Sequence, residues 1–160
     1  DVGLVGFPNA GKSTFLSVVS NARPEIADYA FTTLTPNLGV ADIDDGSLLI
    51  ADIPGLIEGA SSGKGLGHKF LRHIERNKVL LYLIDSQDET PLKTFESLEK
   101  ELLQFNPDLG IKPVYICRTK SDLNVELSKQ WNDFEGDVIV ISSVSRDGLD
   151  ELISKLSSAL

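Results

Sequence analysis

The stretch Gly6-Phe7-Pro8-Asn9-Ala10-Gly11-Lys12-Ser13 fits G-x-x-x-x-G-K-[ST], and these residue types at this spacing suit a polyphosphate. Consecutive backbone N–H groups where a loop enters a helix form an anion cradle, reinforced by the positive end of the helix dipole. Lys12 can reach the β- and γ-phosphates, and the Ser13 hydroxyl is a ligand for Mg²⁺. A glycine-rich turn without a ligand is the alternative. Placement favours the ligand, because an apolar run precedes the motif and an amphipathic segment follows it.

Asp52-Ile53-Pro54-Gly55 closes a second apolar run. An aspartate at such a strand end holds Mg²⁺ through water, and a glycine N–H can approach a γ-phosphate because no Cβ obstructs it. Between the two motifs lies Phe31-Thr32-Thr33-Leu34-Thr35. A threonine here, Thr33 ahead of Thr32 or Thr35, can complete the Mg²⁺ shell only while the γ-phosphate is present. Such a contact turns a loop into a switch; taken alone, the run also suits ordinary loop threonines.

Thr119-Lys120-Ser121-Asp122 follows a later apolar run. The Asp122 carboxylate can accept from guanine N1–H and the exocyclic amine, whereas adenine would leave the charge unpaired. Lys120 would lay its aliphatic stem along the base plane. In isolation the tetrapeptide suits a surface charge pair equally well. Ser142-Ser143-Val144 follows the last apolar run, where backbone N–H groups can face the guanine carbonyl oxygen. The weaker motifs gain their force from their order along one chain.

Apolar runs alternating with helical periodicity must position these groups. Strands are expected at 2–7, in LGVADI and SLLIADI, at 79–85, in KPVYICR and in DVIVIS. The second and third are joined through Asp44-Asp45-Gly46, a hairpin signal. Helices are expected after Gly11, with Phe15, Leu16, Val18 and Val19 inward, and over HKFLRHIERN. A long helix should start at Thr90-Pro91 and run to Phe105, burying Leu92, Phe95, Leu98, Leu102 and Phe105. A shorter one is expected in VELSKQWNDF, and LDELISKLSSAL closes the chain. The alternation predicts an α/β domain: a mostly parallel six-stranded sheet, one antiparallel edge strand and helices on both faces.

The 160 residues fit one domain over 1–160. No apolar run approaches the roughly 20 residues of a membrane span. A net charge of −9 argues against nucleic-acid binding by the whole surface. The single Cys117 excludes an intramolecular disulfide and fits a reducing compartment, as a buried small hydrophobe. The abrupt strand-like start is expected of a domain cut from a longer chain.

GFPNAGKST, IADYAFTTLTPNLGV, ADIPGLIEGA and GLGHKFLRHIER together resemble the Obg family of GTPases across essentially the whole chain. The resemblance implies a Ras-like P-loop fold that binds GTP and GDP with Mg²⁺ and hydrolyses GTP slowly. It also implies association with the large ribosomal subunit during assembly, as a cytoplasmic or organellar protein of bacterial type, here expected as a monomer. Carried over, Gly6–Ser13 is the phosphate loop and Ser13, Thr33 and Asp52 serve the metal. Phe31–Thr35 and Asp52–Gly55 are the switches, and Thr119–Asp122 with Ser142–Val144 recognise guanine. The family usually has asparagine at Thr119 and alanine at Ser143, and its members carry further domains.

Leu56, after Gly55, cannot orient water as a glutamine would. Backbone groups near Thr33 and Gly55, a partner in trans, or a monovalent cation can supply the missing function. Asn9 points to the cation, since related GTPases use asparagine there as a K⁺ ligand; it also suits a residue supporting the loop turn. Lys69, Arg72, His73 and Arg76 share one helix face, readable as a solvated surface or as an RNA or ribosome contact.

Overall fold

The computed structural model describes residues 1–7, 10–20, 25–26, 37–43, 46–52, 77–105, 107–123 and 125–160. Among the described residues, seven strands form one sheet: β1 (Val2–Val5), β2 (Glu25–Ile26), β3 (Asn37–Ile43), β4 (Gly46–Asp52), β5 (Val79–Asp85), β6 (Val114–Thr119) and β7 (Val138–Val140). Their order across the sheet is β2-β3-β4-β1-β5-β6-β7. The six expected strands are present. The seventh, β2, is two residues paired antiparallel to β3, where no strand is expected from the sequence. β3 is the expected antiparallel strand and pairs with β4, while every pairing from β4 to β7 is parallel.

β5 shows why a continuous apolar run becomes a central strand. Val79 to Ile84 are all buried, and alternation sends them to both faces of the sheet. Val79, Leu81 and Leu83 join a core with Phe15 and Leu16 of α1 (Lys12–Val19) and Leu149, Leu152 and Leu156 of α3 (Leu149–Ser158). Tyr82 points the other way, its ring 4.9 Å edge-on from Phe95 of α2 (Pro91–Phe105). Helices therefore cover both faces. α2 begins as its sequence requires: the Thr90 carbonyl accepts the Thr94 N–H at 3.0 Å, and Pro91 occupies the first helical position.

Of the expected inward residues whose side chains are described, Leu92 and Phe95 are half-buried and the others lie in or against the core. Phe15, Leu16, Leu98 and Leu102 are buried, and Val18 and Val19 pack partly buried against the core. Cys117 is a buried free thiol in β6. Two expectations need correction. β7 is shorter than DVIVIS, and VELSKQWNDF forms only a 3-10 turn over Lys129–Asp133. Ser128 caps that turn by accepting from Gln130 N. Trp131 stacks at 5.6 Å on Phe134, which meets Phe95 at 5.9 Å, and the Arg118 guanidinium lies 5.9 Å from the Trp131 ring. So short a segment cannot sustain an α-helix by propensity, and aromatic packing fixes the tighter turn instead.

Asp44-Asp45, the glycine-dense 55–67 stretch and residues 68–76 of the expected basic helix lie outside the described residues. Among those described, no helix is long and apolar enough to cross a membrane.

Candidate functional site

The expected site residues that are described gather at the C-terminal ends of β1, β4, β6 and β7. Ligands bind there in open α/β sheets, where the strand order reverses. Register sets the first neighbours: Leu4 of β1 lies opposite Asp52, the last residue of β4, and opposite Leu81 of β5. The chain then leaves β1 through Gly6 and Phe7. The Ala10 N–H donates to the Phe7 carbonyl at 3.0 Å. Gly11 turns the backbone into α1 at φ +96°, a left-handed conformation that favours glycine.

Lys12 is 4% exposed, and its ammonium donates to the Gly6 carbonyl at 2.6 Å and to Phe7 at 3.2 Å. An ammonium is costly to bury without charge-assisted hydrogen bonds, so these carbonyls hold the loop closed around its own lysine. Ser13, in the first turn of α1, is exposed beside it. Positive charge, the N-terminal N–H groups of α1 and a hydroxyl thus meet at one point, as a polyphosphate with a hard cation requires.

The second half of the site is built at the end of β6. Thr119 is buried, and its hydroxyl donates to the Ala10 carbonyl at 2.8 Å, with the Ile84 carbonyl 3.3 Å away. Where the family usually has asparagine, the shorter threonine still reaches the phosphate loop. Ser121 N–H donates to the Ile141 carbonyl at 3.0 Å, tying this loop to the one after β7. Ser142 is fully buried and donates from its hydroxyl to Asp122 Oδ1 at 2.8 Å, while the same hydroxyl accepts from Ser145 N–H at 3.0 Å. The Asp122 carboxylate, itself at the surface, is therefore aimed by a buried, hydrogen-bonded neighbour.

Gly11, Thr14, Thr119, Lys120, Asp122, Leu123, Ser143 and Val144 line a cleft of about 190 Å³. The structure thus brings Ser143 and Val144 beside the Thr119–Asp122 loop, as expected of a base site, and joins that cleft to Gly11 of the phosphate loop. Pro8, Asn9, Phe31, Thr32, Thr33, Leu34, Thr35, Ile53, Pro54 and Gly55, with Leu56, lie outside the described residues. Of Asp52, the structure gives only the backbone position.

Two site neighbours were not anticipated from sequence. Ser86 is buried and donates its hydroxyl to the Thr119 carbonyl at 2.5 Å, beside a backbone bond from its own N–H at 3.0 Å. Asp85 accepts from the Lys120 ammonium at 2.8 Å. The only signal for either was position, since both follow the apolar run of the central strand.

Comparison with known proteins agrees with this architecture. The model of the family described as 50S ribosome-binding GTPase matches residues 1–120. GTPase Obg of Flavobacterium psychrophilum is 54% identical over 168 residues, covering 100% of this chain and 50% of that protein. GTPase Obg of Persephonella marina is 50% identical over 167 residues, covering 98% and 49%. The chain thus spans about half the length of the curated relatives it matches. Among solved structures, the G domain of the T. maritima FeoB iron transporter superposes with a TM-score of 0.73 at 21% identity, covering 99% of this chain and 96% of that one. A single-residue variant of Aquifex aeolicus Era bound to GDP·AlF4⁻ gives 0.71 at 25% identity, covering 99% and 56%. With a phosphate loop closed by its lysine, a cleft joined to it through Thr119, and a family model covering residues 1–120, the chain belongs to the 50S ribosome-binding GTPases and is similar throughout its length to GTPase Obg.

Proposed function

We propose that this chain is the nucleotide-binding and GTP-hydrolysing domain of a Mg²⁺-dependent switch acting in assembly of the large ribosomal subunit. One observation carries the reading: the Thr119 hydroxyl, bonded to the Ala10 carbonyl at 2.8 Å, welds the phosphate loop to the loop bearing Asp122. A phosphate site and a purine site held at fixed separation select a guanine nucleotide over phosphate or base alone.

In this reading Lys12 and the N–H groups at the start of α1 bind the β- and γ-phosphates. Asp122, aimed by Ser142, accepts from the guanine edge, and the Lys120 stem lies along the ring. Ser13, Asp52 and Thr33 are the oxygen ligands that would hold Mg²⁺, an exposed hydroxyl and a strand-end carboxylate being hard donors suited to it. When bound, the ion supplies charge neutralisation at the phosphate oxygens. Gly55 and Thr33 respond to the γ-phosphate and position water.

Leu56 offers no catalytic amide, so intrinsic hydrolysis is slow, and Asn9 helps hold a K⁺ that takes the missing electrostatic role. The same Leu56 favours a second reading, a guanine-nucleotide-loaded adaptor with negligible turnover that needs a partner for hydrolysis. GTP hydrolysis with Mg²⁺, measured in K⁺ and in Na⁺ at equal ionic strength, separates the two. Faster turnover in K⁺, abolished by Asn9→Ala, supports the enzyme; equal and near-zero rates support the adaptor.

The ribosomal role rests on the family's description and on the helical spacing of Lys69, Arg72 and Arg76 in the sequence. Reversing these three to glutamate in the full-length protein should weaken its GTP-dependent association with the large subunit, and unchanged association would refute that contact. We place the protein in the cytoplasm, or in an organelle of bacterial origin, as a monomer.

A further inference from the structure

We propose that Asp85 is a positioning residue for the purine ring: its carboxylate sets the Lys120 side chain as one wall of the base cleft and thereby sets how long the nucleotide stays bound. The inference deepens the base-site reading above and rests on it. Asp85 ends the central strand, and its carboxylate is mostly shielded, with the side chain 17% exposed. Both oxygens are engaged. Oδ1 accepts the Gln87 N–H at 2.8 Å, closing a turn that fixes the carboxylate on its own backbone, and Oδ2 accepts the Lys120 ammonium at 2.8 Å.

Lys120 is held in turn at both ends. Its backbone sits at φ 60°, a left-handed conformation that a non-glycine residue adopts only when its surroundings over-determine it. Near its tip, the stem runs past Gly11, with Cε 4.0 Å from where a Cβ on that glycine would lie. A four-carbon chain on a solvated ammonium samples many rotamers. Pinned at the far end by Asp85, this one keeps its methylenes along the cleft that Asp122 and Val144 also line. The base then meets a preformed apolar wall and need not order a mobile side chain.

Release of mant-GDP by stopped flow tests this for the unaltered chain, Asp85→Asn, Lys120→Ala and the double variant. Asp85→Asn retains an oxygen to accept from Gln87 and removes the charge that holds Lys120. It should speed release about fivefold, the scale of a part-exposed ion pair. Lys120→Ala should speed release more, and adding Asp85→Asn to it should change nothing further, because Asp85 acts through Lys120. Mant-IDP release should accelerate by the same factor, since a stem along the ring face does not sense the 2-amino group. Unchanged release from Asp85→Asn, multiplying effects in the double variant, or unequal factors for the two nucleotides would each overturn the inference. Asp122→Ala separates the levels. If Asp122→Ala is silent, the base site falls and the inference with it; if Asp122→Ala accelerates release while Asp85→Asn is silent, only the inference falls.

Discussion

Replacing Thr119 by valine keeps the shape of the side chain and deletes one hydroxyl, so it isolates a single bond. In the native chain that hydroxyl is buried and donates to the Ala10 carbonyl at 2.8 Å. A neutral hydrogen bond contributes about 1 kcal/mol net, and leaving its buried partner unsatisfied costs about 1–3 kcal/mol. The loss divides between the fold and the nucleotide. If the loop keeps its closed form without the bond, the whole penalty appears as lost stability, a fall in melting temperature of about 2–4 °C per kcal/mol for a chain of this size. If instead the loop relaxes in the free protein, the nucleotide must reorder it on binding. A cost of about 1–2 kcal/mol then becomes a 5- to 30-fold loss of affinity. Urea titration and GDP binding on the same Thr119→Val protein measure both shares. Thr119→Asn, restoring the residue the family usually carries, should hold GDP as well as the native chain does. Should Thr119→Val leave both stability and GDP affinity unchanged, the bond does not brace the phosphate loop and the account of the site fails at its centre.

Ser142→Ala removes the donor to Asp122 and the acceptor for Ser145 N–H; GDP affinity should fall about tenfold, the scale of one hydrogen bond to a charged group, and equal affinity by calorimetry would remove Ser142 from the base site. Gly148→Ala would set a Cβ 2.1 Å from the Val140 carbonyl oxygen at φ +76°. The combined clash and strain of about 3 kcal/mol should lower the melting temperature by roughly 6–12 °C, and a native-like melt would contradict it. Burial raises the Cys117 thiol above its ordinary 9.0 and, with Glu99 nearby, the Tyr82 phenol above 10.0. Well below these ordinary values both are protonated in either state, so their contribution is complete there. Above that, the unfolded chain releases protons that the folded chain keeps. Stability should therefore fall by up to about 1.4 kcal/mol per pH unit for each group, and Tyr82→Phe should flatten the decline in urea titrations above pH 10.

What could be read from sequence was whatever the chain writes locally. Gly6 to Ser13 carries its ligand chemistry in eight adjacent residues, and the all-apolar run of β5 announces a strand buried on both faces. The contacts that turn separate motifs into one site were not legible in this way. Thr119 and Ala10 are 109 residues apart, and Asp85 and Lys120 are 35 apart; only the strand order brings them together. Nor could the sequence show that Thr119, shorter than the usual asparagine, reaches the phosphate loop, which it does because β6 lies close enough. The helix expected in VELSKQWNDF failed for a different reason. Its apolar spacing suited a helix, but Trp131 and Phe134 bind to Phe95 and Arg118, partners that no local pattern reveals.

The bond between Thr119 and Ala10 also has a meaning in time. A ribosome synthesises the phosphate loop well before Ser142, whose N–H is held by the Asp147 carbonyl at 2.9 Å. Until that last loop has been made, the growing chain has phosphate-binding residues with no brace and no aimed carboxylate for the base. On the proposed function, nucleotide capture waits until the loop after β7 has been made. On that reading, a nascent chain that holds guanine nucleotide is one in which the loops after β1, β6 and β7 have already met.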